Sequence, residues 1–163
     1  MRALSSIKRR AAILAAVAVI GVGASACFAD TQAGPPADPL RAQIWTLMNQ
    51  DRAQNGLPGL VQGPKLEFLA QGWAQWMATG GGFTHRNLTD VLYNNASYSN
   101  YSTLGENILV GPVGMTPAQM ESAWMNSAPH RANILSPNFN VVGIGYFDGA
   151  DGRRWICVDF GGV

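Results

Sequence analysis

Two histidines and one isolated acid are the residues of this chain that are best suited to chemistry near neutral pH. His85 and His130 are the only histidines among its 163 residues, and imidazole is the side chain whose unperturbed charge changes near physiological pH. Glu106 lies between them and is the only charged residue in the stretch from Val91 to Gln119. Because a carboxylate among apolar neighbours needs a cation or an imidazole as its partner, we predict that these three side chains meet in one solvent-open cleft.

Two residues that could serve as nucleophiles have less support. Ser127 precedes His130 in the chain, but it lacks the Gly-x-Ser-x-Gly turn that exposes a catalytic serine. Cys157 lies in the apolar run from Trp155 to Val158, where a small, buried core residue is the usual role of a free cysteine. We therefore expect neither residue to act as a nucleophile.

Residues 1–29 have the pattern of a signal peptide. A basic start that ends at Arg10 is followed by an uncharged, largely apolar run to Ala29, which is the order of a secretory signal. Gly21 and Gly23 interrupt this run, so we predict a secreted protein, cleaved after Ala29, with no transmembrane segment after processing. The alternative is cleavage before Cys27, with acylation of this cysteine and attachment to the cell envelope.

The charge and cysteine content of the expected mature chain exclude some classes of protein. Residues 1–29 contain four of the eleven basic residues and none of the ten acidic ones, which leaves a net charge of −3. A mildly acidic chain with no cluster of Lys or Arg has little to neutralise phosphates, so we expect no nucleic-acid partner. Of the two cysteines, only Cys157 remains after cleavage, so no intramolecular disulfide is expected.

The spacing of apolar residues and the capping signals predict helices first and strands afterwards. Three helices are predicted, the first from Asp38 and Pro39 to Asn55, the second from Pro64 to the glycines at 80–82, and the third from Thr116. A β-hairpin is predicted at residues 141–160, with its connection at residues 148–152. This order indicates an α+β fold, with helices packed on an antiparallel sheet.

The remaining stretches are predicted to be irregular. Residues 86–103 show no periodicity, and we expect a long loop there. We expect one domain over residues 38–163, preceded by a short disordered N-terminus at residues 30–37.

Five short motifs, in order along the chain, resemble those of one family. They are Asn49-Gln50-Asp51-Arg52, Gly82-Phe83-Thr84-His85, Gly105-Glu106-Asn107-Ile108, the run from Trp124 to Leu135, and Val142-Gly143-Ile144-Gly145. Each motif singly is modest, but their ordered combination over residues 39–162 is specific. By these motifs the chain is identified as a bacterial, extracellular member of the CAP superfamily of cysteine-rich secretory proteins, antigen 5 and pathogenesis-related proteins. The resemblance implies a three-layer α-β-α sandwich with a small antiparallel sheet.

The resemblance also implies a metal site in the central cleft. Eukaryotic members of the family can hold zinc or another divalent ion in a cleft of two histidines and two acids, and His85, Glu106 and His130 match three of these positions. Ser127 occupies the place of the second acid. Three protein ligands would leave an open position for substrate or solvent. Alternatively, Glu106 hydrogen-bonds a histidine and leaves a weaker site with two ligands, or it only orders the adjacent loop through backbone hydrogen bonds.

Three functions are compatible with these residues. The first is a secreted binding module whose cleft holds a divalent metal and whose surface captures a small hydrophobic ligand or a cell-envelope partner. In that case Tyr93, Tyr98 and Tyr101 are candidate lipid contacts, because phenol rings offer apolar faces with a polar tip, unless they fold back onto the domain. The second is a metal-assisted, protease-like hydrolase with Glu106 as the general base. The third is a non-catalytic envelope lipoprotein anchored through Cys27.

Overall fold

In the computed structural model of this chain, residues 31–163 are described. The predicted signal peptide and Cys27 lie outside these residues. The helices are α1 (Pro39–Gln54), α2 (Pro64–Trp76), α3 (Leu88–Asn94), α4 (Pro117–Met125) and α5 (Ala128–Ile134). The strands are β1 (Val61–Gln62), β2 (Thr103–Pro112), β3 (Val141–Asp148) and β4 (Arg153–Gly162). A π-helical turn, Met77–Gly81, extends α2, and a 3-10 turn, Ala96–Tyr98, follows α3.

The four strands form one sheet in the order β1-β3-β4-β2. Strand β4 pairs with β2 and with β3 in antiparallel orientation, whereas β1 pairs with β3 in parallel over Val61 and Gln62. The predicted hairpin of β3 and β4 is thus confirmed. The expected antiparallel sheet has, in addition, a short parallel edge.

Alternate residues of β4 point to opposite faces of the sheet and divide the core into two. Ile156, Val158 and Phe160 belong to the larger cluster, to which α1, α4 and α5 contribute. Trp155 and Cys157 belong to the cluster that packs against α2. Helices therefore cover both faces of the sheet, and the expected α+β fold with three α-β-α layers is confirmed.

The close packing of α2 on the sheet depends on two glycines of β3. A Cβ atom at Gly143 would lie 2.1 Å from the backbone nitrogen of Glu67, and one at Gly145 would lie 2.2 Å from that of Gln71. These neighbours are backbone atoms, which cannot rotate away from an added side chain as a flexible group would. Glycine at both positions therefore sets the distance between α2 and β3.

A fully buried arginine ties α1 to the segment that follows α5. Nε of Arg52 donates to the carbonyl of Pro58 at 2.9 Å. Its terminal nitrogens donate to the carbonyls of Ile134, Ser136 and Phe139 at 2.8 to 2.9 Å. Burial lowers the pKa of Arg52, and the four carbonyl oxygens compensate the guanidinium for the water that it has lost.

The N-terminal segment differs from the expected disorder. Gln32 and Gln62 exchange backbone hydrogen bonds of 2.8 and 3.3 Å, and Pro36 is buried. This part of residues 30–37 is therefore held against β1, because the edge of the sheet offers free backbone partners there.

The stretch predicted as a long loop contains α3 and the 3-10 turn, so this prediction was wrong. The side-chain oxygen of Asn87 accepts from the amide of Asp90 and caps α3, and Asn95 caps the 3-10 turn through the amide of Ser97. With seven residues, α3 makes only about two turns, which is too short for apolar periodicity to be recognised.

The contact between α1 and α4 contains a pair of acids. Glu121 is only 5% exposed, and neither of its side-chain oxygens has a hydrogen-bond partner among the described residues. Burial, together with the neighbouring carboxyl group of Asp51, raises the pKa of Glu121 to about 8. A proton on Glu121 removes the repulsion between the two groups and allows one to donate to the other. This helix contact therefore retains a proton at neutral pH.

We expect Glu121 to make the fold less stable as the pH rises. Its pKa of about 8 in the folded state exceeds the value of about 4.3 in an unfolded chain, so its contribution is complete below the lower value and is lost as the pH rises towards the higher one. The melting temperature of the wild type, relative to that of Glu121→Gln, should fall by several degrees between about pH 5 and about pH 9. Differential scanning calorimetry across this range measures the difference.

Two further variants serve as controls for this experiment. Asp51→Asn should remove part of the pH dependence, because it removes the neighbouring carboxylate, whereas Asp90→Asn on the exposed face of α3 should leave it unchanged. Parallel loss of stability in the wild type and in Glu121→Gln would show that the acid pair is not the cause.

Candidate functional site

The three residues singled out in the sequence lie together in one open cleft. Nδ1 of His85 is 2.7 Å from Oε1 of Glu106, and the ring centroids of His85 and His130 are 6.2 Å apart, with planes inclined by 49°. The cleft has a volume of about 380 Å³. Besides these three residues, it is lined by Arg86, Leu88, Leu104, Gly105, Pro129 and Asn133. Its lining thus combines imidazole, carboxylate and apolar side chains.

The end of α2 delivers His85 to this cleft. After the π-helical turn begins, Gly80 and Gly82 take φ values of 122° and 83°, which glycine adopts without steric cost, and the chain changes direction. Nε1 of Trp73 then donates to the carbonyl of Thr84 at 3.0 Å and fixes the backbone next to the histidine. The side chain of His85 remains 54% exposed, so the ring faces solvent while its Nδ1 is held.

Glu106 enters the cleft from β2, where its partner in the strand register is Asp159 of β4. Only 1% of the Glu106 side chain is exposed. Oε1 contacts Nδ1 of His85 and accepts from the amide of Arg86 at 3.2 Å, and Oε2 accepts from Nε of Arg86 at 2.7 Å. Because Nδ1 faces a carboxylate, neutral His85 carries its proton on Nδ1 and leaves Nε2 available to a ligand.

Arg86 compensates the charge of the buried acids behind the histidines. Its side chain is 6% exposed. NH2 lies 3.0 Å from Oδ2 of Asp159 and 3.0 Å from Sγ of Cys157, and NH1 donates to the carbonyl of Leu69 at 3.2 Å. Burial by itself lowers the pKa of Arg86, but the neighbouring Asp159, Cys157 and Glu106 outweigh it, and the net shift is upward. The guanidinium is therefore charged.

Asp159 and Cys157 complete this network from β4. Burial raises the pKa of Asp159 to about 8, with Arg86 opposing the shift and Glu106 adding to it. Burial also raises the pKa of the Cys157 thiol. The guanidinium of Arg86 thus contacts two carboxyl groups. When Asp159 is protonated, the charge of Arg86 balances that of Glu106, and the network has no net charge.

Two asparagines hold the backbone of His130, which lies within α5. Nδ2 of Asn107 donates to the carbonyl of His130 at 3.0 Å. Nδ2 of Asn133 donates to Oδ1 of Asn107 at 2.9 Å and to the carbonyl of Glu106 at 3.1 Å. These bonds attach α5 to β2, the edge strand of the sheet. Burial, and then the neighbouring His85, lowers the pKa of His130, which favours the neutral imidazole that binds metals.

The three tyrosines of the predicted ligand loop do not form one surface. Tyr98 and Tyr101 are 5% and 4% exposed, and they pack with Leu66 and Val141 in a core cluster. Tyr93, on α3, is 78% exposed. Tyr98 and Tyr101 thus fill space between the helices and the sheet, and Tyr98 also lines a surface groove together with Phe68.

The two candidate nucleophiles, Ser127 and Cys157, lie at the start of α5 and in the core. Ser127 is the residue that precedes the first turn of α5, so the position that the family resemblance assigns to a second acid holds a hydroxyl group and no carboxylate. Cys157 is fully buried beside Arg86. It is a core residue, as expected, but one that contacts a charged group.

Four residues of the site were not identified from the sequence, namely Arg86, Asn107, Asn133 and Asp159. Asp159 had a recognisable signal, since it is the only acid in the apolar strand that precedes Phe160. Arg86 and Asn107 only adjoin residues that had been singled out. Their contacts depend on which strand residues face each other, and local sequence does not contain this information.

The chain matches the profile of the CAP family, described as the cysteine-rich secretory protein family, over residues 45–159. The chain belongs to this family. It is 33% identical over 130 residues to the uncharacterised protein YkwD of Bacillus subtilis, in an alignment that covers 77% of this chain and 48% of YkwD. The chain thus spans about half the length of this relative.

Solved structures of the family share the fold. An extracellular protein containing a SCP domain from Bacillus anthracis has a TM-score of 0.64 and 24% identity, over 80% of this chain and 45% of that one. The structure of NaASP2 with Zn2+ has a TM-score of 0.59 and 13% identity, over 78% of this chain and 83% of that one. At these identities the similarity establishes the three-layer fold and no more. Within residues 31–163, no helix is long and apolar enough to cross a membrane.

We expect Asn107→Ala to destabilise the protein, because it removes the bond to the carbonyl of His130 and leaves Asn133 without its side-chain acceptor. A buried hydrogen-bonding group that loses its partner costs about 1 to 3 kcal/mol. Urea denaturation followed by circular dichroism measures this loss. Asn126→Ala is the matched control, since Asn126 also donates to a backbone carbonyl but is exposed, and its effect should stay within about 0.5 kcal/mol. Equal losses in both variants would show that other contacts hold α5.

Proposed function

We propose that this protein is a secreted binding module whose cleft holds a divalent metal ion through His85 and His130. The observation that carries this proposal is the contact between Nδ1 of His85 and the buried carboxylate of Glu106. A histidine that donates one ring nitrogen to a carboxylate presents the other nitrogen as a ligand, which is the usual arrangement around protein-bound zinc. Glu106 positions His85 and does not bind the ion, because both of its oxygens accept hydrogen bonds from Arg86.

The spacing of the two rings fits one shared ion after a small movement. A Zn–N bond of about 2 Å places each ring centre about 3 Å from the metal, so two rings on one ion lie at most about 6 Å apart. The observed separation of the centroids is 6.2 Å, and a tetrahedral arrangement requires the rings to be about 1 Å closer. The half-exposed side chain of His85 has room for this movement. The presence of Zn2+ in the NaASP2 structure, which has the same fold, also supports the proposal.

We propose binding as the function rather than hydrolysis. A bound divalent ion supplies Lewis acidity, but a hydrolase also needs a base that can take a proton from water. Glu106 is the only acid among the residues that line the cleft, and its oxygens are engaged by Arg86 and His85. Ser127, in the place of the second acid, has no comparable basicity.

An apolar groove beside the cleft is the proposed site for a small hydrophobic ligand. A groove of about 400 Å³ between α2 and α3 includes Phe68, Leu69, Trp73 and Val91 in its lining. Phe68 is 79% exposed and also lines a second groove of about 390 Å³. An exposed phenyl ring shared by two grooves offers the apolar contact that a lipid chain requires. We propose this surface, whose lining includes Tyr98 of the predicted ligand loop but neither Tyr93 nor Tyr101.

The proposed place of action is outside the cell. The sequence of residues 1–29 predicts export, and the Bacillus anthracis relative is described as extracellular. The expected acidic net charge of the mature chain gives no support for a nucleic-acid partner. A cell-envelope partner, or an anchor at Cys27, remains compatible with this proposal.

Zinc titration of the mature protein by isothermal calorimetry tests the metal site. We expect one equivalent to bind, with an affinity that falls below about pH 6 because protonated imidazole is not a ligand. His85→Ala and His130→Ala should each abolish binding. Glu106→Gln should weaken binding by about 10- to 100-fold, as expected for a partner of a ligand.

The control for zinc binding is Asp90→Asn, which changes an exposed acid outside the cleft. Unchanged affinity in both histidine variants would contradict the proposed site. Complete loss of binding in a folded Glu106→Gln variant would show that the glutamate is itself a ligand.

Native mass spectrometry of the protein secreted by its own host tests the apolar groove. We expect a copurified lipid in the wild type and its loss in Phe68→Asp, because a carboxylate in the groove opposes an apolar chain. Tyr93→Ser is the matched control, since it removes an exposed aromatic ring outside the two grooves. The absence of lipid from the wild type, or its retention by Phe68→Asp, would contradict the proposal.

A further inference from the structure

The guanidinium of Arg86 contacts a buried set of side chains that could themselves bind a metal ion. Glu106, Cys157 and Asp159 each offer one ligand atom, and these atoms all lie within 4.8 Å of one another. Carboxylate oxygens and a thiolate are a donor set suited to divalent transition metals. Arg86 makes a contact with each of them, at 2.7 to 3.0 Å. The guanidinium of Arg86 therefore supplies the positive charge that a metal ion would otherwise bring to these three side chains.

The position of this guanidinium is fixed on all sides. Nε and NH2 contact the three potential ligands, and NH1 donates to the carbonyl of Leu69. The carbon at the centre of the group lies 5.1 Å from the centroid of the Trp73 ring, a favourable stacking distance for arginine. Since arginine does not lose its proton in proteins, this cation is permanent, whereas a bound metal ion would exchange.

Arg86 also fixes the orientation of the carboxylate that faces His85. Its Nε holds Oε2 of Glu106, and its backbone amide donates to Oε1, the same oxygen that contacts Nδ1 of His85. Glu106 therefore cannot turn without breaking both bonds to Arg86. The orientation of the Glu106 carboxylate therefore depends on Arg86, the residue that follows His85. The position of the proton on the His85 imidazole depends on the same residue.

We propose that Arg86 is the residue that determines where metal ions bind in this protein. Its guanidinium is an internal cation that keeps metal ions out of the inner set formed by Glu106, Cys157 and Asp159, and its hold on Glu106 selects the Nδ1–H tautomer of His85. The confinement of metal ions to His85 and His130 rests on the function proposed above. The exclusion of metal ions from the inner set and the choice of the His85 tautomer do not depend on that function.

Removal of this cation should convert the inner set into a metal site. Two carboxyl groups and a thiol, buried without a cation, are unfavourable, and a divalent ion satisfies them. Because the ligands are the thiolate and the carboxylates, binding of the ion releases the thiol proton of Cys157 and the carboxyl proton of Asp159 to solvent. Arg86→Met keeps a long apolar side chain beside Trp73 but supplies no charge.

Cobalt(II) is the probe for the inner set, since a thiolate ligand gives a charge-transfer absorption that imidazole ligands lack. Titration of the wild type should give no thiolate-to-cobalt absorption. Arg86→Met should bind one more equivalent than the wild type and show this absorption, and a second change, Cys157→Ser, should remove it. Arg86→Lys, which retains a cation, should resemble the wild type.

The tautomer of His85 is an independent readout, obtained from the nitrogen-15 shifts of the two imidazoles. Wild-type His85 should be protonated on Nδ1, and in Arg86→Met it should shift towards the Nε2–H form that is more common in free histidine. His130, whose ring is not held by Glu106, serves as the reference in the same spectrum. A general loss of structure would alter both histidines, whereas loss of the positioning role alters His85 alone.

Several results would overturn the proposal. Thiolate-to-cobalt absorption in the wild type would show that Arg86 does not exclude metal, and its absence from a folded Arg86→Met would show that the inner set is not a site. If Arg86→Met does not fold, Arg86→Gln is used in its place, with the same expected outcomes. An Nε2–H tautomer of His85 in the wild type is by itself sufficient to reject the positioning role of Arg86. Failure of wild-type zinc binding, with cobalt absorption in Arg86→Met, would reject the proposed function and leave this inference intact.

Discussion

The burial of one guanidinium against two neighbouring strands is the constraint on which the cleft depends. Glu106 of β2 and Asp159 of β4 are partners in the strand register, and Arg86 contacts both carboxyl groups. Buried acids require such a partner, so the chain that leaves α2 must return to the sheet at this point. Because His85 immediately precedes Arg86, the anchoring of the arginine also places the histidine.

The free edge of the sheet is the second constraint, and it places the other histidine. The carbonyls of Glu106 and Ile108 on β2 accept from the side chains of Asn133 and Trp124, so side chains from α4 and α5 satisfy an edge that would otherwise invite pairing with another strand. The same contacts dock α5 and bring His130 to the cleft. Polar contacts thus position both histidines, while the apolar clusters hold the layers together.

The composition of the cleft differs from the pattern of two histidines and two acids that the resemblance implies for eukaryotic members of the family. Ser127 stands where the second acid is expected, and Glu106 is committed to Arg86 and His85. The charge that faces solvent is therefore small, and the imidazoles are the groups that remain available to a ligand. This composition supports the proposed binding of an ion over the activation of water, which requires a free base.

The sequence by itself determined the features that depend on neighbouring residues. The helix starts predicted at Asp38 and at Thr116, and the apolar strands on either side of residues 148–152, rest on local signals, and they correctly predicted α1, α4 and the hairpin. The family motifs, in turn, identified His85, Glu106 and His130 as candidate site residues. Only the tertiary structure decided that Arg86 and Asp159 complete the site and that Tyr98 is buried. Register and burial arise from contacts between residues that are far apart in the chain, such as Arg86 and Asp159, and no local pattern encodes them.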